Sequence, residues 1–212
     1  MHFGATMWFT EYSISPSRLA VALEEREFES LWASEHSHLP IGAGNGEPRN
    51  VQADVMDPLV TLTAAAMSTQ TLKLGTGICL VNQRDPTHTA KLVASIDRLS
   101  GGRFLFGIGN GWQEEEMRNH GTAFTTRHQL VQDRVEAMRA IWTQEKAEYH
   151  GEFVSFGPII ANPKPVLRIP TMPPGHTEVE ASTCSDLMPS TVLMRWRPGG
   201  VVSAGRFGSC HE

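Results

Sequence analysis

Cysteine is scarce in this chain: three among 212 residues, Cys79, Cys184 and Cys210. They form neither an even framework nor a CxxC spacing, which argues against a disulfide scaffold and fits a reducing cytoplasm. No basic run stands out and the net charge is −5, so a nucleic-acid partner is not expected. The N-terminal MHFGATMWFTEYS has no basic leader followed by a long apolar run, so no signal peptide is read there. Nor does any stretch approach the ~20 apolar residues of a membrane span. The Rossmann spacing is missing too: the glycine run Gly107, Gly109, Gly111 has Trp112 where GxGxxG needs its last glycine.

What is present is an ordinary globular composition, 40% hydrophobic and 19% charged, arranged as alternating strands and helices. Phe3–Phe9 reads as a first strand and Ser15-Pro16 as a helix start. Phe28–Ala33 reads as a second strand, and Pro40–Asn50 as a loop. Asp57-Pro58 and Asp85-Pro86 repeat a cap-plus-proline helix start. Between them lies a third strand, Leu72–Val81. After the second comes a stripe of Leu92, Val93, Ile96 and Leu99, stopped at Gly101. Arg103–Ile108 is the fourth strand, and Arg127–Trp142 a long helix. Four strand–helix alternations imply a parallel α/β sheet, open or closed into a barrel. Tyr149–Phe153 is a small excursion and Asn162–Pro165 an extended connector. Beyond about Leu167 neither period persists, and residues 167–212 read as an irregular or disordered tail.

Three clusters carry candidate chemistry. Gly107–Gly111 ends the fourth strand just before Glu114, Glu115 and Glu116. Carboxylates at that helix start repel a phosphate. Small residues there either let a flat ring lie against the backbone or merely satisfy a tight turn. Glu35-His36-Ser37-His38 follows the second strand. His36 could move a proton near neutral pH. The pair His36 and His38 could alternatively bind a metal, as in barrel hydrolases, although no further ligand set is evident. Gly75-Thr76-Gly77 interrupts the third strand, as a bulge or where a ligand comes close. Arg84 could meet an anion, pair with Asp85 or stay solvated.

Taken together, FESLWASEHSHLP at 28–40, DPLVTLTAAAMSTQTLKLGTGICLVNQRDP at 57–86 and LVASIDRLSGGRFLFGIGNGWQEEEMRNHG at 92–121 resemble the luciferase-like monooxygenase superfamily, in particular its flavin- and coenzyme F420-dependent oxidoreductase branch. RVEAMRAIWTQEKAEYHGEFVSF at 134–156 and NPKP at 162–165 continue the resemblance over residues 1–166. It implies a bacterial luciferase-like (β/α)8 TIM barrel of which this chain holds the N-terminal half, with a truncated or out-of-frame segment after about residue 166. It further implies coenzyme F420, or FMN in the alternative, at the C-terminal mouth of the strands, and a non-proline cis peptide near Gly75–Gly77. The implied ring contacts are Gly75, Thr76, Gly77, Asn110, Gly111 and Trp112. His36 and Glu35 become candidates for proton transfer to a small-molecule product, in a chain that forms homodimers as relatives often do. The expected reaction is hydride transfer between a deazaflavin and a small organic substrate. The alternatives are an FMN-dependent monooxygenase, an inactive fragment and the metal-dependent hydrolase. Two departures stand out. Trp112 takes the place of a catalytic Glu of related sugar-phosphate dehydrogenases, and Glu27 takes the place of a turn glycine.

Overall fold

The computed structural model describes residues 3–41, 54–166 and 191–193. Most of the Pro40–Asn50 loop, and the tail apart from 191–193, lie outside the described residues. Four parallel strands with intervening helices form the body. Strand β1 is Gly4–Met7, helix α1 Pro16–Glu24, strand β2 Ser30–Ala33, helix α2 Pro58–Met67 and strand β3 Lys73–Thr76. Then come β4 Cys79–Leu80, α3 Pro86–Leu99, β5 Phe104–Leu105, β6 Gly107–Gly109, α4 Glu114–Asn119 and α5 Arg127–Thr143. A hairpin of β7 Ala147–His150 and β8 Ser155–Ile159 follows, and β9 is Thr191–Leu193.

The order β1-β2-β3-β5 is parallel throughout. Strand β4 runs parallel to β6, and β9 adds to β6 antiparallel. The expected third and fourth strands are therefore each split in two. The third breaks at Gly77–Ile78, where the peptide is cis, at the end of the Gly75–Gly77 stretch for which such a bond was expected. The fourth breaks before Gly107, whose carbonyl accepts the Thr76 hydroxyl at 2.7 Å.

The helix starts follow the sequence closely. Asp57 accepts the Leu59 and Val60 amides at 2.8 and 3.1 Å, and Asp85 accepts the His88 amide at 2.7 Å, each with proline in the first turn. Helix α3 ends in a Schellman arrangement. Gly101 and Gly102 have φ of +66° and +83°, and their amides return to Arg98 O and Asp97 O at 3.1 and 2.8 Å.

Alternation divides the sheet into two faces. Leu31, Ala33 and Leu74 face the helices and join Leu62, Ala65, Ile96, Met138 and Trp142 in one core. The opposite face carries Gly4, Ser30, Trp32 and Gly75, in register across β1, β2 and β3. A Cβ on Gly75 would lie 2.3 Å from Trp32 Cε3, so this glycine makes room for the indole. The excursion after α5 is pinned by Asp133, which accepts the Tyr149 hydroxyl and the Phe153 and Val154 amides at 2.6–2.7 Å.

Glu27, flagged in the sequence, has φ of +59°, the left-handed region, unlike any other non-glycine among the described residues. A side chain there costs about 1–2 kcal/mol, and the extra freedom of an unfolded glycine offsets part of this. The variant E27G is expected to be more stable than the parent by about 0.5–1 kcal/mol, read as a higher midpoint in urea unfolding.

Candidate active site at the strand ends

Each parallel strand delivers its last residues to one end of the sheet, where such folds place their chemistry. The first delivers Trp8, the second Ser34-Glu35-His36, the third Val81–Arg84, and the fourth Asn110–Trp112. His36 is at the centre of this group. Its ring stacks on Trp8, with centroids 5.9 Å apart and planes 8° apart. It meets the edge of Trp112 at 6.0 Å, and Trp112 is itself partly exposed.

His36 Nδ1 lies 2.9 Å from Glu116 Oε2, with the two side chains only 4% and 1% exposed. The other oxygen, Oε1, accepts the Ser37 amide at 3.0 Å and the Ser37 hydroxyl at 3.3 Å. Burial alone would push the Glu116 carboxyl up, but the hydrogen bonds from His36 and the Ser37 amide outweigh it and hold it below the ordinary value. Nε2 of His36 has no hydrogen-bond partner among the described residues.

Glu35 is buried beside His36 but differently engaged. Its Oε2 accepts the Leu80 amide at 2.7 Å and its Oε1 the Arg84 Nε at 2.6 Å. Arg84 reaches on to Asp57, so the neighbour anticipated for it, Asp85, is not its partner. Burial opposes the charge on Arg84, yet Glu35 and Asp57 leave its proton held still more firmly than usual. The same neighbourhood contains Cys79, whose thiol is pushed well up by burial and by the Glu35 charge, leaving it a packed, unreactive group.

The other expected ring contacts divide. Asn110 is buried, and its carbonyl accepts Asn82 Nδ2 at 2.7 Å. Gly111 has φ of +68°, and a Cβ there would lie 2.8 Å from Met117 Cε, so both the turn and its packing require glycine. Gly77 leaves ordinary van der Waals space, 3.5 Å, beside Trp32 Cβ. Two of the expected contacts are engaged within the chain. Thr76 is fully buried and its hydroxyl donates to Gly107 O. The room beside Gly75 is filled by Trp32 rather than left for a ring.

His36 and His38 do not act as a pair. His38 turns to Ser37 Oγ at 2.9 Å, to Asn119 Nδ2 at 2.9 Å and to the His120 ring at 5.5 Å. Among the described residues no cluster of three or more His, Cys, Asp or Glu is arranged to hold a metal ion. Sequence reasoning passed over Trp8, Ser37 and Glu116. For Glu116 a signal existed: three successive glutamates open a helix right after the glycine turn, but they were weighed only as a group that repels phosphate.

The description "Luciferase-like monooxygenase" matches residues 16–180. An uncharacterised protein of Mycobacterium tuberculosis (strain ATCC 25618 / H37Rv) is 37% identical over 174 residues, 78% of this chain and 62% of that protein. The FMNH(2)-dependent dimethylsulfone monooxygenase of Pseudomonas putida is 30% identical over 167 residues, 77% of this chain and 42% of that enzyme. Among solved structures, monooxygenase RslO1 from Streptomyces bottropensis superimposes with a TM-score of 0.69 at 26% identity, covering 79% of this chain and 51% of that one. The coenzyme F420-dependent tetrahydromethanopterin reductase from Methanopyrus kandleri does so with a TM-score of 0.57 at 22% identity, over 78% of this chain and 47% of that one. The chain thus spans less than two thirds of the length of each of these relatives. Among the described residues no helix is long and apolar enough to cross a membrane.

Proposed function

The chain belongs to the luciferase-like monooxygenase family, and from that premise we propose that it is a flavin- or deazaflavin-dependent oxidoreductase built on the first strands of a TIM-type barrel. The reading takes residues 1–166 as the barrel portion. Coenzyme F420 is the cofactor and hydride transfer to or from a small organic molecule is the reaction. The second reading, FMN-dependent monooxygenation, is favoured by the name of the Pseudomonas putida relative. The chain is taken to work in the cytoplasm, as a homodimer.

The observation that carries the proposal is a buried histidine–carboxylate pair between two indoles at the strand ends. The groups there suit a flat, polar-edged ring. Asn82 Oδ1 and Gln113 Nε2 are buried without a partner among the described residues, an acceptor and a donor of the kind a pyrimidine edge requires. Asn110, Gly111, Trp112 and Gly77 would hold the ring. When bound, the cofactor supplies the hydride chemistry. The chain's own residues do the rest. Trp8 and Trp112 exclude water beside His36, and His36 takes or returns a proton at Nε2. Glu35, with both oxygens engaged, anchors the strand end that carries His36.

Titration with F420 and with FMN, followed by fluorescence, tests this. Saturable binding of F420, weakened at least about tenfold in W112A as lost stacking predicts, is expected. Saturable FMN binding alone, with oxygen-dependent turnover, would establish the second reading. Binding of neither would overturn both and leave the fragment reading.

A further inference from the structure

We propose that Glu116 is a positioning residue that fixes His36 as its Nδ1–H tautomer, so that Nε2 faces the reacting group as a proton acceptor. The inference rests on the reading above only in taking Nε2 to face substrate.

The direction of the hydrogen bonds carries the argument. Asn119 Nδ2 can only donate, so His38 Nε2 accepts from it at 2.9 Å and the neutral His38 ring carries its proton on Nδ1. That Nδ1–H donates to Ser37 Oγ at 2.9 Å. His120 Nε2 meets the same oxygen at 2.7 Å. A hydroxyl has one hydrogen and two lone pairs. The Ser37 hydroxyl donates to Glu116 Oε1, 3.3 Å away. The Ser37 amide donates to the same oxygen at 3.0 Å. Both donors of Ser37 therefore point towards Glu116, the arrangement of an ionised carboxylate. An ionised Oε2 at 2.9 Å can only accept, so the proton between it and His36 belongs to Nδ1. The tautomer of a histidine is set by the bond its other nitrogen makes.

The lower-lying residues have a share in this. Ser37 keeps the buried charge satisfied, and His38 and His120, towards the surface, orient the Ser37 hydroxyl. Facing the pair are also Glu35 and Arg84, which hold each other, so neither competes for Nδ1.

Nitrogen-detected NMR of the histidine side chains in the full chain, without cofactor, reads the tautomer directly; the His36 signal is the one lost in H36Q. The expected wild-type pattern is a protonated Nδ1 and an unprotonated Nε2. E116Q should shift the ring towards the Nε2–H form that free imidazole side chains favour, and E116D should restore the wild-type pattern at least in part. In a turnover assay E116Q should lower kcat at least about tenfold, part of the 10²–10⁴ that a placed proton-transfer group supplies in full, with KM little changed. A wild-type His36 protonated at Nε2 would overturn the proposal without any variant. So would an E116Q spectrum identical to wild type. Because the spectrum needs no cofactor, failure of cofactor binding leaves this result standing by itself.

Discussion

Replacing Arg103 with alanine is expected to lower stability by about 4 kcal/mol and the thermal midpoint by roughly 8–16 °C for a chain of this size. The guanidinium is half-buried at the end of the sheet away from the candidate site, and it uses all its nitrogens. Nε donates to Ser100 O at 2.8 Å, Nη1 to Leu72 O and Thr69 Oγ1 at 2.7 and 3.0 Å, and Nη2 to Ala66 O and Thr69 O at 2.8 and 3.0 Å. Ser100 and Ala66 lie at the C-terminal ends of α3 and α2, and Thr69 and Leu72 in the loop from α2 to β3. Charge-assisted bonds contribute about 1.5–3 kcal/mol apiece, discounted here because water can reach part of the loop. The amides of the same loop go to the opposite charge: Glu24 Oε1 accepts from Gln70, Thr71 and Leu72 at 2.6–2.9 Å. Lysine has no fork and cannot reach the carbonyls of two helices at once, so R103K should recover less than half of the loss. Urea unfolding measures both, and an R103K as stable as the parent would show that charge alone matters at this position.

Arg103 also shows what kind of information the sequence carried. SGGRF, YHGEF and NPKP were legible as family motifs, and the structure gives each a mechanical reason. The glycines of SGGRF close the end of α3, and its arginine ties two helix ends. In YHGEF, a Cβ on Gly151 would lie 1.8 Å from Asp133 Oδ1, the carboxylate that pins the hairpin. In NPKP, Lys164 Nζ donates to Ile141 O and Gln144 O at 2.5 and 2.7 Å, at the end of α5. Helix starts were readable because Asp-Pro is a local signal. The interruption of the third strand was also readable, at Gly75-Thr76-Gly77, whereas the break before Gly107 in the fourth was not, since period 2 says nothing about where the ladder of Arg103–Ile108 ends.

The site was half legible for a related reason. His36 and Trp112 could be picked out as a titratable and an aromatic side chain at strand ends. The pairing of Glu116 with His36 could not, because the two lie 80 positions apart and meet only through helix α4. The surroundings of Thr76 and Gly75 were not legible, because alternation decides which face each occupies. Thr76 shares the helix-facing side of Leu74, and Gly75 lies under an indole from the neighbouring strand. Glu35 was singled out for its carboxylate, yet Arg84 and the Leu80 amide engage that carboxylate.

Replacing His36 with alanine is expected to lower stability at neutral pH by about 3 kcal/mol, roughly 6–12 °C in thermal midpoint, and to reduce turnover by about 10²–10⁴. Removing one member of a buried pair leaves the other as an uncompensated charge, which usually costs about 3–5 kcal/mol. The low end applies because Ser37 still donates twice to Glu116. The pH dependence separates this from a simple cavity. In the parent the Glu116 carboxyl is held below its ordinary value. Its contribution is therefore full above that value and fades as pH falls through the lower, folded one. In H36A the carboxyl loses its main partner and moves up. The gap between variant and parent should then be widest near neutrality and narrow in acid, where Glu116 sheds its charge. The double variant H36A/E116Q, with a neutral amide of the same shape, should be more stable than H36A at pH 7, since it removes the stranded charge rather than adding damage. Urea unfolding of the parent, H36A and H36A/E116Q at pH 7 and pH 5 measures every arm. A gap that does not change with pH, or a double variant no more stable than H36A, would mean that His36 serves the site by packing between Trp8 and Trp112 and not by balancing Glu116.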